Sequence, residues 1–267
     1  MISAPLFISP AARFLRHFTS PMSDFPPSPG WQDPELVQHF LQNVRGAIPI
    51  TIEQIEMMLG LIAASRERIS TFLDLGCGDG LLAAAILDEQ PSAHAILIDE
   101  SAAMLDVARR RLDRHAGRVK YLHVDFQATG WIDRVAGGAP FDAVVSAFAI
   151  HRANDERKRQ IYREVFGVLA PGGIFLNCEH VASATRWTES VLDDYVIDAI
   201  FGEEIKRSPA KARAEIARDY YERAASSRTL APLEVQCHWM QEIGFEDVEC
   251  FLKVLELAVF GGQKPAA

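Results

Sequence analysis

Short apolar runs and helical patterns alternate through most of the chain. "TFLDLG", "HAILID" and "VKYLHVD" are apolar runs of strand length, and between them "LLAAAILDE" and "SAAMLDVARRRLDRH" carry apolar residues at the three-and-four spacing of a helix. The alternation continues with a strand, "FDAVVSAF", a helix, "DERKRQIYREVFGVLA", stopped by "PGG", and a fifth strand, "IFLNCEH". Near-continuous apolar strands are buried on both faces, which requires a mostly parallel sheet covered by helices on each side. The predicted fold class is therefore α/β, doubly wound. Two β-rich runs close the chain, "FEDVECFLKV" and "LELAVFGG", too near each other for a helical crossover, so they should pair antiparallel at one edge and complete a seven-stranded sheet.

The flanks break this rhythm. Residues 183–229 show no strand pattern but two amphipathic helical stretches, and an insert of that length after a strand is expected to be functional, here a lid over a substrate. Ahead of the first strand, "PELVQHFLQNVRGAIP" and "TIEQIEMMLGLIAASRERI" predict two lead-in helices with Pro49 between them and Thr51 as the N-cap. The five prolines from Ser20 to Pro34 read as a linker, which places a flexible extension at 1–34 and the ordered domain at 35–267. The first 23 residues hold no acid and carry Arg13 and Arg16, in the manner of an organelle transit peptide; "APLFISPAA" is too proline-broken for a secretory core, and Met22 is a plausible second start.

Composition narrows the partners. Lys and Arg total 27 against 36 Asp and Glu, a formal charge of −9, with no basic block, which argues against nucleic acid as the main ligand. Cys77, Cys178, Cys237 and Cys250 form neither a disulfide framework nor a metal-ligand spacing, so no metal and a reducing, cytoplasmic setting are expected. No apolar run approaches the roughly 20 residues that cross a bilayer. A homodimer is compatible with the chain.

The candidate chemistry begins at "FLDLGCGDG", where a buried strand ends in three alternating glycines. Glycines there let the backbone take positive φ and let a ligand approach without meeting a Cβ, and in such sheets ligands bind outside the carboxyl ends of the strands. A phosphate-binding loop would need G-x-x-x-x-G-K-[ST], but Leu81 stands five residues after Gly76 and no Lys follows. A dinucleotide turn would put its third glycine at position 81, whereas here it is Gly80.

These residues resemble the class I S-adenosylmethionine-dependent methyltransferases, whose first motif is (D/E)-x-G-x-G-x-G, filled here by Asp74, Gly76, Gly78 and Gly80. The resemblance continues at "ILIDESAAML", "LHVDF", "FDAVVSAFAIHR" and "VFGVLAPGGIF". It implies the Rossmann-like methyltransferase fold and S-adenosyl-L-methionine as cofactor. It further implies Asp99 as the ribose ligand, Asp125 with Phe126 beside the adenine, and Glu100, Met104 and Ser146 among the cofactor contacts. Physical chemistry agrees: a carboxylate accepts from paired ribose hydroxyls or an adenine N–H, and a cationic sulfonium prefers an acidic site. Arg45, in "VRGAIP", is a candidate for the cofactor carboxylate.

Methyl transfer from a sulfonium is an in-line displacement in which positioning and water exclusion do most of the work, so a base is needed only for a protonated acceptor. His151, just past the fourth strand, is the candidate base. Glu179 and His180 at the end of the fifth strand, with Trp187 and Tyr195 of the insert, are candidates for binding a small-molecule acceptor, and Tyr220 and Tyr221 could join them. Asp79 reads as a solvent-facing turn residue, Cys77 as buried, Ser101 as a helix cap, and His238 and Trp239 as packing residues. "VRGAIPITIEQIEMM" and "ELAVFGGQK" also resemble the carboxy-S-adenosylmethionine synthases of tRNA modification, although that branch departs from G-x-G-x-G. An NAD-dependent oxidoreductase and a non-catalytic cofactor-binding module are the remaining alternatives.

Overall fold

A computed structural model describes residues 50–207, 212–226 and 230–266. The linker, the first lead-in helix and Arg45 lie outside the described residues. Seven strands form one sheet in the order β3-β2-β1-β4-β5-β7-β6. They are β1 (Thr71–Leu75), β2 (His94–Asp99), β3 (Val119–His123), β4 (Phe141–Ala147), β5 (Leu169–His180), β6 (Glu246–Val254) and β7 (Leu257–Gln263). The first five pair in parallel, and β7 enters antiparallel between β5 and β6, so the expected antiparallel pair does close the sheet.

Alternation along the strands splits the core into two layers. In β1, Leu73 and Leu75 join one apolar cluster with Trp131, Val144, Tyr162 and Phe175, while Phe72 joins the other with Met58, Ile62, Leu97 and Leu176. Burying each of these large side chains contributes about 1.5–3 kcal/mol. The covering helices are α1 (Thr51–Ser65), α2 (Leu81–Glu89), α3 (Ala102–Arg111), α4 (Trp131–Val135), α5 (Asp155–Val168) and α8 (Leu233–Ile243). Ser101 caps α3 as expected, its Oγ accepting from the Met104 N–H at 3.2 Å, and Asn154 caps α5 through Oδ1 and the Arg157 N–H at 2.9 Å.

Three local expectations are corrected. Thr51 is the first residue of α1, not its cap; Ile50 holds the cap position at φ 56°. Pro171, Gly172 and Gly173 do not separate helix from strand: α5 runs directly into β5, and the three residues form a bulge where the pairing with β4 shifts between Phe141 and Ala143. His238 does not pack; it is exposed on α8, 3.5 Å from Glu242. Trp239 is half-buried against the core.

The insert forms α6 (Arg186–Arg207) and α7 (Arg213–Ser226). Its two ends meet: the Ala182 N–H donates to the Ala231 carbonyl at 3.0 Å, and Ala182 pairs with Pro232 as an isolated parallel bridge. Among the described residues no helix is long and apolar enough to cross a membrane.

Candidate active site

The glycine turn joins β1 to α2 with Gly76, Gly78 and Gly80 at φ 74°, 52° and 74°. The Gly76 and Cys77 N–H groups both donate to the Ile98 carbonyl, at 2.9 and 3.0 Å, which ties the turn to the end of β2. The three glycines do different work. A Cβ on Gly76 would lie 2.4 Å from the Ala149 Cβ, one on Gly78 would meet nothing, and one on Gly80 would press on Leu112 and Ala108 at 3.0 and 3.2 Å. Gly76 and Gly78 line a cavity; Gly80 is outside its wall and lets α2 pack close to α3. Asp79 does not face solvent. It is fully buried, accepting from Arg111 Nη2 at 2.9 Å and from the Leu81 N–H at 3.3 Å.

The cavity, about 130 Å³, opens at the carboxyl ends of the parallel strands. Asp74, Asp99, Glu100, Met104 and Phe126, all named above as candidate cofactor contacts, line it. Both Asp99 oxygens accept from backbone, Oδ2 from Gly78 and Oδ1 from Ser101, each at 2.8 Å. Burial nonetheless outweighs those bonds and raises its pKa to about 6. Arg152 bridges to Glu100 at 3.2 Å, and burial lowers its pKa while Glu100, Asp99 and Glu179 oppose that shift. The Cys77 thiol, buried in the wall, is pushed well above its ordinary value by desolvation and then by Asp74, Asp99 and Asp79. All three shifts are led by desolvation in an apolar chamber, and the acidic neighbours add to the shift at Cys77 and oppose it at Arg152, a field that favours a cationic ligand.

His151 follows β4 and lines the same cavity. Its Nδ1 lies 2.7 Å from Glu179 Oε1, and its backbone N–H donates to Glu179 Oε2 at 2.8 Å. Glu179 is completely buried and takes a third bond, at 3.1 Å, from the His180 N–H. Its carboxylate therefore holds His151 from beneath, and Glu179 is not part of the cavity wall. His180 forms a second pair with Glu256 at 3.2 Å, and Ser183 donates to the other Glu256 oxygen at 2.8 Å. The two histidine rings are 6.4 Å apart. Phe148, between β4 and His151, holds φ 53°, an unusual conformation for a side chain of that size, and it too faces the cavity.

Other anticipated contacts fall elsewhere. Ser146 is fully buried and donates to the Leu75 carbonyl at 2.8 Å, fastening β4 to β1 without reaching the cavity. Asp125 is exposed and outside the cavity wall, its Oδ1 accepting from the Gln127 N–H at 2.8 Å. Trp187 is 74% exposed on α6. Tyr195 lies on α6, but its side chain is outside the described residues. Tyr220 donates to Asp193 Oδ1 at 2.7 Å within the insert, and Tyr221 is exposed beside it. The cavity also gains residues not anticipated: Gln54, Ile55 and Met58 of α1, Phe148, Arg152 and Cys178. A signal for the first existed, since Gln54 occupies the same helical stripe as the buried Met58 and Ile62.

A family model described as a methyltransferase domain matches residues 72–173. Demethylmenaquinone methyltransferase of Clavibacter sepedonicus is 30% identical over 203 residues, 75% of this chain and 74% of that protein. Carboxy-S-adenosyl-L-methionine synthase of Nitratiruptor sp. is 24% identical over 231 residues, 85% of this chain and 90% of that protein. Among solved structures, an O-methyltransferase family protein from Burkholderia thailandensis shares the fold at a TM-score of 0.58 and 18% identity, covering 89% of this chain; the chain spans only 64% of that protein's length.

The chain belongs to the class I S-adenosylmethionine-dependent methyltransferases, and its cofactor is S-adenosyl-L-methionine. The residues present fit that group. Gly78 leaves the cavity floor open, Asp99 offers a buried carboxylate to hydroxyl donors, and Asp74, Asp99 and Glu100 supply the negative field a sulfonium favours.

Proposed function

We propose that the protein methylates a hydroxyl or N–H of a small molecule by in-line transfer, with His151 as general base and Glu179 as the group that orients it. The observation that carries this reading is the 2.7 Å contact between His151 Nδ1 and a completely buried carboxylate on the cavity side of the sheet. With Nδ1–H donating to Glu179, His151 presents Nε2 as a proton acceptor. The buried carboxylate also stabilises the imidazolium once the proton arrives, which is the use of such a pair in acyl-transfer enzymes. When bound, the cofactor supplies an electrophilic methyl group and a neutral leaving group. His151 then removes the acceptor proton, Asp99 and the Gly76–Gly78 backbone fix position, and the apolar wall of Ile55, Met58, Phe126 and Phe148 excludes water. An acidic chain without a basic stripe suits a small acceptor better than nucleic acid. The Clavibacter relative, named for demethylmenaquinone, points the same way.

The test is a screen of metabolite extracts for S-adenosylhomocysteine release, followed by mass spectrometry of the methylated product. A product carrying one added methyl on oxygen or nitrogen, lost in His151→Ala, supports the reading. A product made equally well by His151→Ala removes the base from it. A second reading, formation of carboxy-S-adenosylmethionine, is favoured by the near full-length match to the Nitratiruptor synthase. It would show as a cofactor gaining the mass of CO2, one methyl hydrogen being replaced by a carboxyl group, with no S-adenosylhomocysteine released.

A further inference from the structure

Gln54 stands in the first turns of α1, 2% exposed, and its Nε2 has no hydrogen-bond partner. Buried amide donors are nearly always satisfied, because leaving one unpaired forfeits its hydration with nothing in return. Of the other neutral side chains, Asn177 also holds an unsatisfied buried atom, but it lies in the core beside Tyr162, away from the cavity. Gln54 lines the cavity directly. Ile55 and Met58 beside it on α1 offer no acceptor, Asp99 and Glu100 are engaged by backbone N–H groups and by Arg152, and although Thr51, Asp74 and Gln127 also line the cavity, none of them pairs with the Gln54 Nε2. The helix thus carries a polar group on its apolar stripe that the protein itself does not use.

We propose that Gln54 is a ligand-binding residue whose Nε2 donates to an oxygen of the molecule filling the cavity, either the carboxylate of the cofactor or an oxygen of the methyl acceptor. The inference rests on the methyltransferase reading only in taking this cavity as the chamber for both.

Gln54→Met preserves length and volume and deletes the donor. Thermal unfolding of the ligand-free protein should show the variant at least as stable as wild type, since an unsatisfied group has been removed. A lower Tm would mean that the amide is satisfied within the chain and would overturn the proposal. Calorimetric titration then separates the sources. If the oxygen is the cofactor carboxylate, Gln54→Met weakens S-adenosylmethionine about tenfold or more and leaves decarboxylated S-adenosylmethionine unchanged. If it belongs to the acceptor, cofactor affinity is unchanged and S-adenosylhomocysteine release from dilute metabolite extract falls about tenfold, recovering in concentrated extract. Unchanged affinity together with unchanged release overturns the proposal. Should wild type release no S-adenosylhomocysteine from any extract, the base reading fails by itself, and unchanged cofactor affinity in Gln54→Met then overturns this one.

Discussion

The cavity has two halves assembled in different ways. One half comes from a single stretch, Asp74 to Met104, in which two strand ends and a turn are tied by backbone bonds such as Gly76 N–H to the Ile98 carbonyl. The other half gathers Gln54, Phe148, His151 and Cys178 from a helix, a loop and a distant strand, held by side-chain contacts such as His151 to Glu179. A site built on backbone geometry tolerates little change in the residues that form it. One built on side chains can change its specificity while the sheet beneath stays intact.

The sharpest way to break that contrast is at Glu179. Glu179→Gln should lower kcat about 10²–10⁴-fold while the Kd for S-adenosylmethionine stays within about twofold, measured by single-turnover kinetics and calorimetry. A parallel loss of cofactor affinity would show that the halves are not separable. Gly76→Ala attacks the other half. With φ 74° and a Cβ 2.4 Å from Ala149, it should destabilise the fold by about 2–4 kcal/mol in urea unfolding and abolish detectable cofactor binding.

Asp99→Asn removes the charge and puts an amide donor against one of the two backbone N–H groups that Asp99 accepts from, so it should weaken S-adenosylmethionine about tenfold or more and also cost the fold about 1–3 kcal/mol in urea unfolding. The same residue predicts the pH dependence. Its folded pKa, raised by burial from 3.8 to about 6, means that the free protein takes up a proton there as pH falls. That raised value works against the ionised fold: stability falls as pH rises between about 4 and 6, where the unfolded chain has already lost this proton. Ribose donors and a sulfonium favour the ionised form, so cofactor affinity should instead drop as pH falls below about 6. Titrations at pH 7.5 and 5 should show that drop in wild type and a flat profile in Asp99→Asn. The smallest effect is expected at Asp125. An exposed side chain outside the cavity wall should cost no more than about threefold in Kd when changed to Ala.

The same contrast accounts for what could be read in advance. The first four strand runs, the glycine turn, Asp99 at the end of β2, the Ser101 cap and the closing antiparallel pair all depend on local pattern, and each stands in the structure where the pattern put it; the fifth strand alone begins earlier, inside the run read as helix. Roles that depend on distant partners could not be read this way. Asp79 looked like a turn residue because its partner, Arg111, lies a full strand and two helices further on. Glu179 looked like an open strand end because nothing in "NCEH" shows that His151 arrives above it. Ser146 carries an ordinary hydroxyl, and only the pairing of β4 with β1 decides that it bonds the Leu75 carbonyl and not a ligand. Gln54 shares the four-residue stripe of Met58 and Ile62, which marks its burial, but nothing local shows that this stripe faces the cavity.

The meeting of Ala182 with Ala231 and Pro232 gives the insert the geometry of a cassette. One end leaves β5 and the other enters α8 at a single seam, so the segment between them can be exchanged for a shorter or longer sequence without re-registering β5 or moving α8. A segment joined at one seam is open to replacement as a unit, by natural divergence or laboratory grafting, with the glycine turn left untouched.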